Sequence, residues 1–184
     1  MINRSFLLYF TKFILTFCVL YYGTIAMIGI TSPGGFYSSF AHHYLDYVSV
    51  LRWLLLHCSS LLLLVTGFPV FLKDIFTIKL VNGLGIHVGY DCIGYGVMSF
   101  WVAFIFANNT GRKKSIKWMI GGLLLIFVIN VLRVAIMLVA INQHWVSPFG
   151  FDNHTWFNIV AYIAIFTMIY FFDRSEKKRI TGIA

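Results

Sequence analysis

Gly121-Gly122-Leu123-Leu124-Leu125-Ile126-Phe127-Val128-Ile129-Asn130-Val131-Leu132-Arg133-Val134-Ala135-Ile136-Met137-Leu138-Val139-Ala140-Ile141 is an apolar run broken by Asn130 and Arg133. It matches the ~20 residues that carry a helix across a bilayer. A guanidinium at that depth costs roughly 2.5–3.5 kcal/mol even on lenient insertion scales, and it cannot shed its proton. The run therefore reads as a membrane span whose arginine needs an anionic partner or a negative charge that develops during a reaction.

The composition agrees. Of the 184 residues 60% are hydrophobic and only 11% are charged, far from the balance of a soluble domain. The net charge of +8 raises nucleic acid as a partner. However, the basic residues collect at span ends: Arg112, Lys113, Lys114 and Lys117 before one span, and Arg174, Lys177, Lys178 and Arg179 after the last. That is the positive-inside pattern of a membrane protein, so nucleic acid is not expected.

Outward from the quoted run, further apolar segments cover about 13–30, 48–72, 93–107 and 156–172. The first is long for a signal peptide and no A-x-A site follows it, so it is read as a span. Residues 73–91 differ: Ile86, Val88 and Tyr90 alternate with His87 and Gly89 after Asn82-Gly83, a short β-hairpin signal. An open hairpin cannot sit in lipid. The expected fold is thus an all-α polytopic membrane protein of about five transmembrane helices, with a hairpin-like extracytoplasmic segment before Cys92. It forms one domain: N-terminal helices over 1–72, the hairpin-like segment over 73–91, a three-helix core over 92–172 and a basic cytoplasmic tail over 173–184.

If the basic stretches face the cytoplasm, Cys92 and residues 142–155 lie outside. Parity then leaves two options for the first half. Either the N-terminus is also outside, or an early segment is interfacial or broken near Gly67-Phe68-Pro69.

This topology brings three reactive side chains to one level. Cys92 caps the third span, His154 precedes the fifth, and Arg133 lies eight residues before Ile141, about 12 Å down its helix. Asn130 shares a helical face with Arg133. The set suits acyl transfer through a thiol. A fixed cation favours the thiolate, histidine moves the proton, and arginine stabilises the oxyanion of a tetrahedral intermediate. Asp91 and Asp152 are the nearby acids, each a candidate helix cap or partner for His154, and His144 is a weaker base candidate. Cys18 and Cys58 sit in apolar runs as packing residues. No metal site is expected, since adjacent His42 and His43 face different ways and no further ligands join them at suitable spacing.

The order Tyr90-Asp91-Cys92-Ile93-Gly94, then Asn130-Val131-Leu132-Arg133 inside a helix, then Asp152-Asn153-His154 before a final helix resembles the exosortase/archaeosortase family. The resemblance spans about residues 75–172, with Ile93 as an extra residue between the Cys and Gly of the pattern. It implies a membrane cysteine transpeptidase in which Cys92 is the nucleophile, Arg133 and His154 are essential, and Asn130 supports the arginine. It implies no cofactor. Its partners would be the lipid bilayer, secreted proteins ending in a short motif, a transmembrane helix and a basic tail, and a surface polysaccharide or lipid as acceptor. The location would be the bacterial inner membrane, with the active site on the outer side. Two rival readings remain: a small transporter or channel subunit in which Arg133 binds an anion, and a non-catalytic assembly protein of the same fold.

Overall fold

A computed structural model describes residues 4–32, 36–108, 111–145 and 153–180, without the side chains of 153, 154, 157 and 178–180. Its helices are α1 (Arg4–Thr31), α2 (Ser39–Tyr44), α3 (Tyr47–Val65), α4 (Tyr95–Ala107), α5 (Arg112–Asn142) and α6 (Asn153–Ile180). Strands β1 (Val70–Leu72), β2 (Thr77–Leu80) and β3 (Gly85–His87) separate α3 from a 3₁₀ turn at Tyr90–Ile93. Among the described residues α1, α3 and α5 are each long and apolar enough to cross a membrane, and α4 is a shorter apolar helix. The architecture is that of a polytopic, mostly helical membrane protein with a small sheet.

Local chemistry explains the elements. Asp46 caps α3 by accepting from the Ser49 amide at 3.0 Å. In α1 the hydroxyls of Thr24 and Thr31 donate to the carbonyls of Leu20 and Met27, which satisfies them inside an apolar segment. Four cationic residues open α5, the end of a helix that disfavours positive charge. Lys114 offsets this by pairing with Glu176 and donating to the Ser175 carbonyl at 3.2 Å, which ties the basic ends of α5 and α6 together.

Two cores divide the 31-residue α5. Toward its basic end, Ile126 packs with Trp101 and Ile105 of α4 and with Met168 and Phe172 of α6. Toward its other end, Val131, Val134, Ala135 and Leu138 meet Leu55, Leu56 and Leu63 of α3 and Ile78 and Ile86 of the sheet. The Ser59 hydroxyl, fully buried, donates to the carbonyls of Leu55 (2.7 Å) and Val131 (3.3 Å), locking α3 onto α5. Cys92 packs against this second core.

The expected hairpin is present: Thr77 pairs with His87 and Lys79 with Gly85, with Asn82 at φ 59° in the connection. It is one strand larger than the sequence suggested. Residues 70–72, read as the end of the second span, form β1 against β2, and α3 stops at Val65. Gly67, at φ 88°, and Pro69 end the helix and turn the chain into the sheet. Asn142 holds the hairpin tip on α5: its Oδ1 accepts from the Leu84 amide at 2.6 Å and its Nδ2 donates to the Leu84 carbonyl at 3.2 Å.

Contacts of α1 set its direction in the bundle. It runs antiparallel to α4, pairing Tyr9 with Asn108, Phe13 with Phe100, Tyr21 with Tyr95, and Ser32 with Tyr90. Its Arg4 end therefore lies at the basic end of the molecule. The buried face of α3 packs with Val131, Val134, Ala135 and Leu138 of α5.

The third span also differs from expectation. α4 begins at Tyr95, not Cys92 or Ile93, and its 13 residues extend about 20 Å, less than the ~30 Å hydrocarbon core. Cys92 belongs to the 3₁₀ turn before it.

Candidate functional site

The Cys92 turn is built from the backbone outward. Gly89 precedes it in extended conformation, and its carbonyl accepts from the Cys92 amide at 3.1 Å. Ile93 anchors it in the core at 1% exposure. Gly94 then takes φ 81°, the left-handed conformation that lets a 3₁₀ turn pass into α4 at an angle. A side chain there would also collide with the Asn130 amide. Asn130, buried in α5, donates from Nδ2 to the Ile93 carbonyl at 2.9 Å. On the other flank the hydroxyls of Tyr90 and Ser32 share a 2.9 Å hydrogen bond. The turn is therefore pinned by α1 and by α5.

Beside this turn lies a cleft of about 200 Å³. Asp91, Gly94 and Tyr95 form one wall, Asn130 and Arg133 of α5 a second, and Asn158 and Ala161 of α6 a third; Tyr21 of α1 also lines it. Small side chains make the space: a Cβ on Gly96 would stand 3.3 Å from the Tyr21 ring. Arg133 is half-buried and faces this polar space. Wherever a bound substrate displaces water, a fixed guanidinium acts more strongly on a developing charge than it would in bulk solvent.

The structure gathers some of the expected site residues more closely than others. Asn130, Arg133 and Asp91 share the cleft. Cys92 does not line it. Its half-buried side chain packs against the core between α3, α5 and the sheet, although its neighbours Asp91 and Gly94 are cleft residues. Position 154 falls in the first turn of α6, four residues before Asn158 and on the same helical face. The His154 side chain and Asp152 lie outside the described residues. Asn130 is hydrogen-bonded to the Cys92 turn, so the contact seen for it supports the turn. Asp91 is not a helix cap: the N-cap of α4 is Gly94, without a side-chain cap bond, and Asp91 is exposed. His144 lies just past α5 at φ 52°.

Two polar cleft residues escaped the sequence reading. Asn158 is a polar residue inside the apolar run 156–172, and that was its available signal. Tyr21 gave none, because aromatic residues are spread throughout α1 and only packing shows which one meets α4.

Comparison with curated proteins and with solved structures gives no match. A family model described as transmembrane exosortase matches residues 6–171. The match takes in α1 and α3 as well as the helices that form the cleft. By the extent of that match, the chain belongs to the transmembrane exosortase family.

Proposed function

We propose that this chain is a cysteine transpeptidase of the outer face of the bacterial inner membrane, acting on secreted proteins with C-terminal sorting signals. The observation that carries the reading is the cleft itself. It joins Asp91 and Gly94 from the Cys92 turn to Asn130 and Arg133, and it opens on the face of α6 that begins at position 154.

In the proposed reaction the Cys92 thiol turns from the α3 side toward the cleft that its neighbours line. His154 accepts the thiol proton, and the thiolate sulfur attacks the scissile carbonyl carbon. Arg133 stabilises the resulting oxyanion. Collapse of the tetrahedral intermediate breaks the C–N bond, His154 returns the proton to the leaving amine, and a thioester on Cys92 remains. A nucleophile on a surface polysaccharide or lipid then attacks the thioester carbonyl and restores the thiol. Asn130 keeps the turn in register with Arg133 throughout.

The test is co-expression with a secreted protein ending in a recognition motif, an apolar helix and a basic tail. Cys92→Ala and His154→Ala are expected to abolish processing while membrane levels of the enzyme stay unchanged. Normal processing in both variants would sink the mechanism.

A further inference from the structure

Arg52 has no part in the cleft, yet it is among the most buried polar residues of the described chain, at 4% exposure. Its Nη2 donates to the Ser49 hydroxyl at 3.1 Å. Its guanidinium carbon stands 3.9 Å from the centre of the Phe76 ring and 5.0 Å from that of Tyr90. Rings satisfy the faces of a guanidinium and leave its edge unsatisfied. Nη1 is buried with no hydrogen-bond partner among the described residues. Arginine cannot become neutral to relieve this.

The nearby acids are engaged elsewhere. Asp46 accepts from the Ser49 amide and pairs with His42 at 3.4 Å. Asp74 accepts from the Phe76 amide at 2.7 Å. Among the described residues neither lies within ion-pair distance of Arg52.

Arg52 lines a cavity of about 460 Å³ whose other polar lining residues are Ser49, His42, His57 and Asp74. Trp53 and Ile75, both exposed, form apolar walls. The cavity lies between α3 and the sheet and shares no lining residue with the cleft of Asp91 and Arg133.

We infer that this cavity is a phosphate-binding site, occupied by the headgroup of an anionic membrane lipid. A guanidinium whose Nη1 lacks a partner suits a charge-assisted hydrogen bond to a phosphate oxygen. Ser49 and His42 line the same cavity. An exposed Trp beside a polar pocket in a membrane protein marks the interfacial level where phosphate headgroups sit, and the apolar wall would meet the first part of an acyl chain. The proposal does not depend on the transpeptidase reading.

The test uses the full chain purified in detergent. Phospholipid retained per chain is measured by native mass spectrometry after exposure to phosphatidylglycerol or phosphatidylcholine vesicles. Wild type is expected to retain phosphatidylglycerol, and Arg52→Met to bind it about tenfold more weakly. Should Arg52→Met fail to fold, Ile75→Glu provides the same reading from a solvent-exposed position, because its carboxylate competes for the guanidinium. Inorganic phosphate forms the second arm. If it alone raises the melting temperature of wild type and leaves Arg52→Met unmoved, the site takes free phosphate and the lipid assignment is overturned. Equal phosphatidylglycerol retention by wild type, Arg52→Met and Ile75→Glu would overturn the site altogether.

Discussion

Asn130 Nδ2 donates to the carbonyl oxygen of Ile93 at 2.9 Å, so a side chain within a membrane helix holds the turn that presents Cys92. Removing the donor strands a buried carbonyl, which costs about 1–3 kcal/mol. Asn130→Ala is expected to lower stability by that amount and to speed alkylation of Cys92. Chemical denaturation in detergent and timed thiol labelling measure the two effects, with Cys18→Ser and Cys58→Ser in the background. Unchanged labelling would show that the turn is held by other contacts.

Gly94 and Asn130 should prove energetically coupled. Gly94→Ala forces a side chain into a left-handed conformation, at roughly 1–2 kcal/mol, and also drives its Cβ into the Asn130 amide. In the double variant Gly94→Ala/Asn130→Ala the collision disappears and the backbone strain remains. Thermal unfolding of the four proteins is expected to give a double-variant loss smaller than the sum of the single losses. Strict additivity would contradict the contact.

The adjacent glycines of α5 offer a contrast. A Cβ on Gly122 would overlap the Trp101 indole and approach Met168, whereas one on Gly121 meets nothing within 4 Å. Gly122→Ala should cost about 1–3 kcal/mol by prying α4 and α6 from α5. Gly121→Ala should be neutral or stabilise by up to about 1 kcal/mol, since alanine is the better helix former. Melting temperatures of the two variants decide this.

Arg133→Lys keeps the charge and loses the planar fork. Processing of the co-expressed substrate is expected to fall about 100-fold or more, the scale of a lost oxyanion donor. Near-normal processing would mean that a point charge suffices and that Arg133 acts only as a counter-ion.

The hairpin carries an acid-sensitive contact. The Phe76 amide donates to Asp74, and this bond holds the carboxyl below its ordinary 3.8. A depressed folded-state value means the contribution is complete above the ordinary value and is lost as pH falls through the lower one. Amide exchange at Phe76, corrected for its intrinsic pH dependence, should therefore lose protection in strong acid in wild type. In Asp74→Ala that pH-dependent loss should be absent.

Much of this protein was legible in its chain because lipid imposes simple rules. Uninterrupted apolar length marks the spans, basic clusters mark one end, and Asn82-Gly83 between alternating residues marks the hairpin. The cost of a charge in hydrocarbon pointed to Arg133 before any contact was known. β1 was hidden because Val70-Phe71-Leu72 continues an apolar run, and periodicity cannot separate a buried strand from a helix end over three residues. Only tertiary structure decided which side chains meet. Asn130 shares a helical face with Arg133, and the fold adds its bond to the turn, because the αL residue Gly94 brings the Ile93 carbonyl to α5 without a Cβ between them. In the sequence Arg52 is only a charge near the start of the apolar segment 48–72. It became a buried cation with an unfilled edge only when the strands carried Phe76 and the Cys92 turn carried Tyr90 onto its faces, an encounter between segments that the linear order keeps more than 20 residues apart.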